Sequence, residues 1–299
     1  MLISLLLTLE ADRSGVLPSH VGRANYAVIL ERLNEVASGL GDAIHALEGA
    51  KPLTCSGLFA TGRQIGGEQR AGCQADFQTV MHAGSRFKIH ITGLTTEVSN
   101  ALSKAFLERP PGIWSVSGYT FRVVKILCDE AIDPWTGCTS YKTLAAKPIL
   151  AGRPFTPQVT LAFLSPTSFQ SNNLHMPLPL PDLVFGSLAD RWNHFSPRIK
   201  MPAGLRTLLG ERLAISQYEL RSQAVQQKSG ADGHGPGPRS LHIGAEGIVT
   251  YTLTGKASDP QQFVELTGRL YTLANFALYS GVGVKTTTGM GQCRRVLRE

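Results

Sequence analysis

The order in which hydrophobic periodicities follow one another constrains this chain more than any single motif. Residues 2–10 are an apolar run of strand length; from Ala24 to Leu40, Tyr26, Leu30, Leu33, Ala37 and Leu40 recur at four, three, four and three, the spacing of a helix face. Strands are predicted near Leu53–Ala60 and Arg86–Leu94, then a helix from about Thr95 to Leu107 and a strand at Tyr119–Leu127. Beyond a stretch rich in Pro, Gly and Thr the order repeats: a strand at Gln158–Leu164, a helix from Pro181-Asp182 to Phe195, and strands near Leu213–Ala224 and Ile243–Leu253. A helix over Pro260–Tyr279 then carries Phe263, Leu266, Leu270, Leu273 and Ala277 on one face, and a last strand ends at Leu297. The order β-α-β-β-α-β, met twice, predicts an α+β chain of two tandem ferredoxin-like (RRM-like) domains. The expected boundaries are residues 1–130, a linker at 131–157, and residues 158–299.

The connection into the last strand, Gly281-Val-Gly-Val-Lys-Thr-Thr-Thr-Gly-Met-Gly-Gln-Cys-Arg-Arg295, packs four glycines, three hydroxyls and three cations into fifteen positions. Glycine lets backbone N–H groups approach an anion, and hydroxyls and cations contact phosphate directly. Two familiar phosphate loops are excluded on residue identity: Val284 stands where a Walker A loop needs Gly, and Thr286 where G-x-G-x-x-G needs its third. An ordinary glycine-rich turn before a strand is the alternative.

Charge favours a polyanion. Residues 1–140 hold 12 Lys+Arg against 13 Asp+Glu, a balance of −1, and residues 141–299 hold 17 against 9, a balance of +8. A basic half beside a neutral half is an electrostatic footprint for nucleic acid, although anionic lipid would also answer to it. The Leu2–Leu9 run is eight residues long, has no cationic flank and contains Ser4 and Thr8, so a buried strand is expected there, with no signal peptide and no membrane partner. Cys55, Cys73, Cys128, Cys138 and Cys293 are odd in number and scattered, which predicts reduced thiols in a cytoplasm. His82 and His90 lack a neighbouring ligand motif, and no metal or other cofactor is expected. Ser229 to Ser240, with four glycines and two prolines, reads as a flexible loop. Arg191, Arg198, Lys200, Arg206, Arg212, Arg221 and Lys228 around it read as solvated surface cations.

The glycine-rich segment, with Pro179-Leu-Pro-Asp-Leu-Val-Phe-Gly-Ser-Leu-Ala-Asp-Arg-Trp-Asn193 and His45-Ala-Leu-Glu-Gly-Ala-Lys51-Pro-Leu-Thr54, resembles the CRISPR-associated endoribonucleases that cut precursor CRISPR RNA within its repeats, of the repeat-associated protein superfamily. The resemblance covers nearly the whole chain. It implies metal-independent cleavage at the base of a repeat hairpin in antiviral defence: a 2′-hydroxyl attacks its own phosphate, leaving a 5′-hydroxyl and a cyclic phosphate or 3′-phosphate. It implies a precursor CRISPR RNA repeat as partner. Whether the RNA binds as a hairpin or a single strand, whether the protein forms a homodimer and whether it joins effector-complex subunits stay open.

His45 and Lys51, six residues apart, match family positions. Imidazole, with a reference pKa near ~6.5, moves protons either way at neutral pH, and an ammonium stabilises a phosphorane. Some members carry a catalytic tyrosine fifteen residues before this histidine; here Leu30 stands there. Tyr26, one turn earlier, and His20, at the entrance to the same helix, are the candidates for the second acid or base, His20 ranking first. Gly281, Gly283, Lys285, Thr286, Gly289, Gly291, Arg294 and Arg295 are the expected RNA contacts. A non-cleaving RNA-binding scaffold subunit is the alternative function; it would keep the glycine-rich loop but has no need of the His45 and Lys51 pair. A metabolic enzyme built on the same halves would show a clustered acid or metal site, which the sequence lacks.

Overall fold

The structure is a computed structural model describing residues 1–61, 78–150, 156–171, 174–228, 239–254 and 260–296. Cys73, residues 151–155 of the expected linker and residues 229–238 of the expected flexible loop lie outside the described residues.

Both halves have the strand order of the predicted fold. In the N-terminal sheet Leu53–Cys55, Arg86–Gly93, Leu2–Ala11 and Tyr119–Leu127 lie side by side in that order, antiparallel, with Ile113–Val116 at the far edge. In the C-terminal sheet Leu213–Lys228, Arg239–Leu253, Gln158–Thr167 and Cys293–Val296 repeat the arrangement. Helices Gly22–Val36 and Thr96–Leu102 serve the first half, Pro181–Phe195 and Pro260–Ser280 the second.

Leu2–Ala11 explains why its sequence does not alternate. Ile3, Leu5, Leu7 and Leu9 enter the N-terminal core, Leu2 joins the C-terminal core, and Ser4 is fully buried between the halves. The strand is covered on both faces because the halves pack on each other.

Two local departures from the sequence reading have physical causes. The predicted helix to Leu40 stops at Val36, because Ala37 is extended and Gly39 adopts a left-handed φ of 76°. A second helix, Leu40–Ala46, starts there, and Asn34 Oδ1 accepts the Gly41 N–H at 2.7 Å, satisfying one of its first-turn donors. Part of the segment read as a linker is ordered: Gly137–Thr139 pairs with Leu2–Ala11, and Tyr141–Leu150 is a helix whose Tyr141 joins the C-terminal core and donates its hydroxyl to the Leu94 carbonyl at 3.0 Å. The segment ties the halves together. No described helix is long and apolar enough to cross a membrane.

Candidate active site

The glycine-rich segment is clamped between the two halves. On the N-terminal side three consecutive carbonyls are taken: Thr286 O accepts from Cys55 N at 3.1 Å, Thr287 O from Cys55 Sγ at 2.9 Å, and Thr288 O from His20 Nε2 at 2.6 Å. Ser56 forms a bridge with Gly289 alongside. On the C-terminal side the Arg191 guanidinium donates to Gly283 O at 2.6 Å, to Thr286 Oγ1 at 2.8 Å and to Ser280 O. Arg191 is thus an internal brace, not the surface cation its sequence context indicated, and burial lowers its pKa to about 10. Its planar fork explains the choice of residue, since one side chain reaches three acceptors in fixed directions.

The glycines serve this clamp. A Cβ on Gly283 would lie 2.2 Å from Ser168 O and one on Gly291 2.1 Å from Val282 O, and both residues have positive φ. A Cβ on Gly289, at φ 100°, would meet His20, Gly22 and Gly57 at about 3 Å. Gly281, Gly283, Gly289 and Gly291 are buried, so the close approach they permit is to the protein's own backbone. Thr286 is buried too, its hydroxyl committed to Arg191.

Among the expected cations, Arg294 is half-buried with its guanidinium 5.5 Å from the Trp135 ring centre, and Arg295 lies 5.1 Å from that of Tyr271 and donates to Asn275 Oδ1 at 2.8 Å. Lys285 Nζ sits 2.7 Å from His242 Nε2.

The predicted catalytic residues all lie in the N-terminal half, His20 hydrogen-bonded to the loop and His45, Tyr26 and Lys51 grouped around the end of Leu40–Ala46. His45 is exposed near the end of Leu40–Ala46, its ring 6.4 Å from that of Tyr26. Lys51 Nζ donates to the carbonyls of Ile44 at 2.9 Å, His45 at 2.7 Å and Leu47 at 2.5 Å. All three ammonium donors therefore close the end of the helix that carries His45. Tyr26 is buried, and burial first and the Cys55 thiol second push its pKa up to about 12, so it stays protonated. His20 donates Nε2–H to the loop, and burial lowers its pKa to about 4. A neutral ring of that kind suits a base, not an acid.

The sequence reading missed a second junction. His90 is buried with Nε2 2.7 Å from Ser4 Oγ and Nδ1 2.6 Å from the Gln292 side-chain oxygen, and its ring meets Trp135 edge to face. It also missed Cys55 and Arg191. Their signal was present only as polar residues inside strand and helix patterns, which sequence alone cannot pair across 232 or 92 positions. Among the described residues no group of three or more His, Cys, Asp and Glu could hold a metal.

Residues 161–293 match the family model described as CRISPR-associated endoribonuclease Cas6. A curated relative of that name, from two strains of Mycobacterium tuberculosis, is 27% identical over 146 residues, 49% of this chain and 41% of the relative, so the alignment spans less than half of the relative's length. Among solved structures, a Cas6 product complex superposes with a TM-score of 0.73 at 24% identity over 99% of this chain and 100% of the other, a likeness of fold. A different Cas6 product complex gives 0.66 at 26% identity over 99% of both chains.

If the clamp holds the halves together, Gly289→Val should lower stability by about 3 kcal/mol, from left-handed strain and overpacking, and Arg191→Leu by a similar amount for the carbonyls it strands. Thermal unfolding of both variants measures this; unchanged melting temperatures would show that the loop does not support the junction.

Acid should loosen the same junction. His20 and His90 both fall from 6.5 to about 4 on folding, chiefly by burial, so the fold favours their neutral forms. Their contribution is complete above pH 6.5 and is lost as pH falls toward about 4, at no more than about 1.4 kcal/mol per pH unit for each ring. Melting temperature followed downward from pH 7 should decline, and less steeply in His90→Gln; parallel profiles would remove His90 as a contributor.

Proposed function

We propose that this chain belongs to the Cas6 family and is a metal-independent endoribonuclease that cuts precursor CRISPR RNA within its repeats. The observation that carries the reading is the position of His45: exposed, on a helix end fixed by Lys51, with its ring beside Tyr26 of the helix whose first residue, Gly22, packs against Thr288 of the loop. The product and substrate-mimic complexes of a Cas6 structure that this chain resembles at 26% identity support the reading.

In the proposed reaction a base removes the proton of the 2′-hydroxyl preceding the scissile bond, and its oxygen attacks the adjacent phosphorus. The P–O5′ bond breaks, and an acid delivers a proton to the departing 5′-oxygen. The products are a 5′-hydroxyl and a 2′,3′-cyclic phosphate, which water opens to a 3′-phosphate. His45 takes the principal proton-transfer role. His20, held neutral by burial, suits the base at the second position, and Tyr26 backs the His45 ring as a protonated phenol. Lys51 fixes the carbonyl end of the His45 helix and brings a cation beside it.

A labelled repeat RNA should be cut in the presence of EDTA and spared when the nucleotide before the scissile bond lacks its 2′-hydroxyl. Cleavage of the deoxy substrate, or dependence on added metal, overturns the mechanism.

His45→Ala should lower the single-turnover rate by about 10²-fold or more with RNA affinity within a few fold. Wild-type cleavage by this variant would remove His45 from the reaction. Lys51→Ala should slow cleavage more than it weakens binding, and Lys51→Arg should recover part of the rate. Equal losses of rate and binding would make Lys51 a phosphate anchor instead.

A further inference from the structure

The cleavage chemistry leaves His175 and His242 of the C-terminal half unused. His242, 8% exposed in the strand Arg239–Leu253, has Nε2 2.7 Å from Lys285 Nζ, and its ring meets that of His175 edge to face at 5.1 Å. His175 is exposed on the short strand Leu174–Met176, which pairs with Phe169–Ser171. An ammonium can only donate, so the Lys285 contact makes His242 the acceptor at Nε2.

Lys285 is one of two described non-glycine residues with positive φ, at 58°. A lysine held there costs roughly 1 kcal/mol, and what the strain secures is the direction of Nζ, toward His242 and out of the glycine-rich segment. Across the junction stand His20 and the exposed Arg23, at the start of helix Gly22–Val36. Lys285 is opposed electrostatically by Arg23, His242 by Lys285 and His175, and His20 by Lys285 and His242. Side chains from four separate segments thus converge around two cations, Lys285 and Arg23, that repel each other, an arrangement relieved by an anion offering several acceptor oxygens to dispersed donors.

We propose that His175 and His242, with Lys285, bind a backbone phosphate of the RNA as it crosses the domain junction, at a position neighbouring the phosphate cut beside His45. The identification of the anion as RNA rests on the endoribonuclease reading; the site itself rests on the histidine and lysine geometry. His242 acts largely through Lys285, whose Nζ it fixes, whereas His175 contacts the phosphate itself.

The test is binding of a repeat RNA made uncleavable by one 2′-deoxy nucleotide, measured at pH 7 with the full chain. His175→Ala, at an exposed position that does not endanger folding, should weaken binding by about tenfold, the loss expected for one hydrogen bond to a charged group. His242→Ala should weaken it at least as much, and His242→Gln, which keeps an acceptor for Lys285, should recover part of the loss. The double variant His242→Ala, Lys285→Ala should bind within about twofold of Lys285→Ala alone, as residues acting through one contact do. Wild-type affinity in His175→Ala, or a loss in His242→Ala explained by a lower melting temperature and not rescued by Gln, overturns the site. The two readings fail separately: an RNA that binds through these residues but is never cut removes the nuclease and leaves the phosphate site, and intact cleavage with unchanged affinities does the reverse.

Discussion

Three successive backbone carbonyls, those of Thr286, Thr287 and Thr288, are each satisfied by a donor from the other domain, and most of the site follows from that. A buried carbonyl without a partner costs about 1–3 kcal/mol, so a loop that turns three of them toward a neighbour is committed to that neighbour. Arg191 commits the other side of the same loop to its own domain. The relative position of His45 and His20 on one half, and Lys285 and His242 on the other, is therefore set by hydrogen bonds whose loss would expose or strand several polar groups at once. Two domains joined only by a flexible linker would not hold groups from the two halves in one fixed arrangement.

The same clamp changes what glycine means here. In phosphate loops glycine admits the ligand to the backbone, whereas in this chain Gly22, Gly283, Gly289 and Gly291 admit backbone to backbone. In the proposed phosphate site the anion is left to side chains that project from the clamped segment, among them Lys285, left-handed and anchored by His242. A rigid loop carrying a strained cation offers its charge in one direction, which lowers the ordering cost of binding a flexible RNA strand.

Much of the fold was legible because period and order are local properties. Tyr119–Leu127 and Pro181–Phe195 fall where the sequence reading put them, and the strand order of both sheets follows from β-α-β-β-α-β alone. The break at Val36 was hidden because Ala37 and Leu40 continue the helical spacing, while the deciding event is a left-handed Gly39 and an Asn34 side chain reaching past it. The strand Gly137–Thr139 and helix Tyr141–Leu150 were hidden because turn residues dominate their surroundings, and distant partners decide them, Leu2–Ser4 for the strand and Leu94, 47 residues away, for the helix. His45 and Lys51 could be singled out through the family resemblance, and Lys285 by its place in the glycine-rich segment. Arg191, Cys55 and His242 could not, since their roles are pairings made by tertiary structure, and nothing in the residues beside them distinguishes a brace from a surface cation.

Net charge shows the same limit in quantitative form. The +8 balance of residues 141–299 invited a reading of that whole half as an RNA surface. Arg206, Arg221 and Arg269 each pair with a carboxylate, those of Asp190, Glu246 and Glu265, and Lys200 is bound to the Asn193 and Ser196 carbonyls. Arg191 is internal. Paired and buried cations still contribute to the distant field that draws a polyanion in, but at contact range they are already solvated by the protein and have little left to give a phosphate. On the proposed reading the contact surface is narrower than the charge count implies: it centres on the domain junction, where Lys285 meets His242 and where Arg23 and His20 face it from the other half. Long-range attraction would then belong to the C-terminal half, while the geometry proposed to place a phosphate would belong to both.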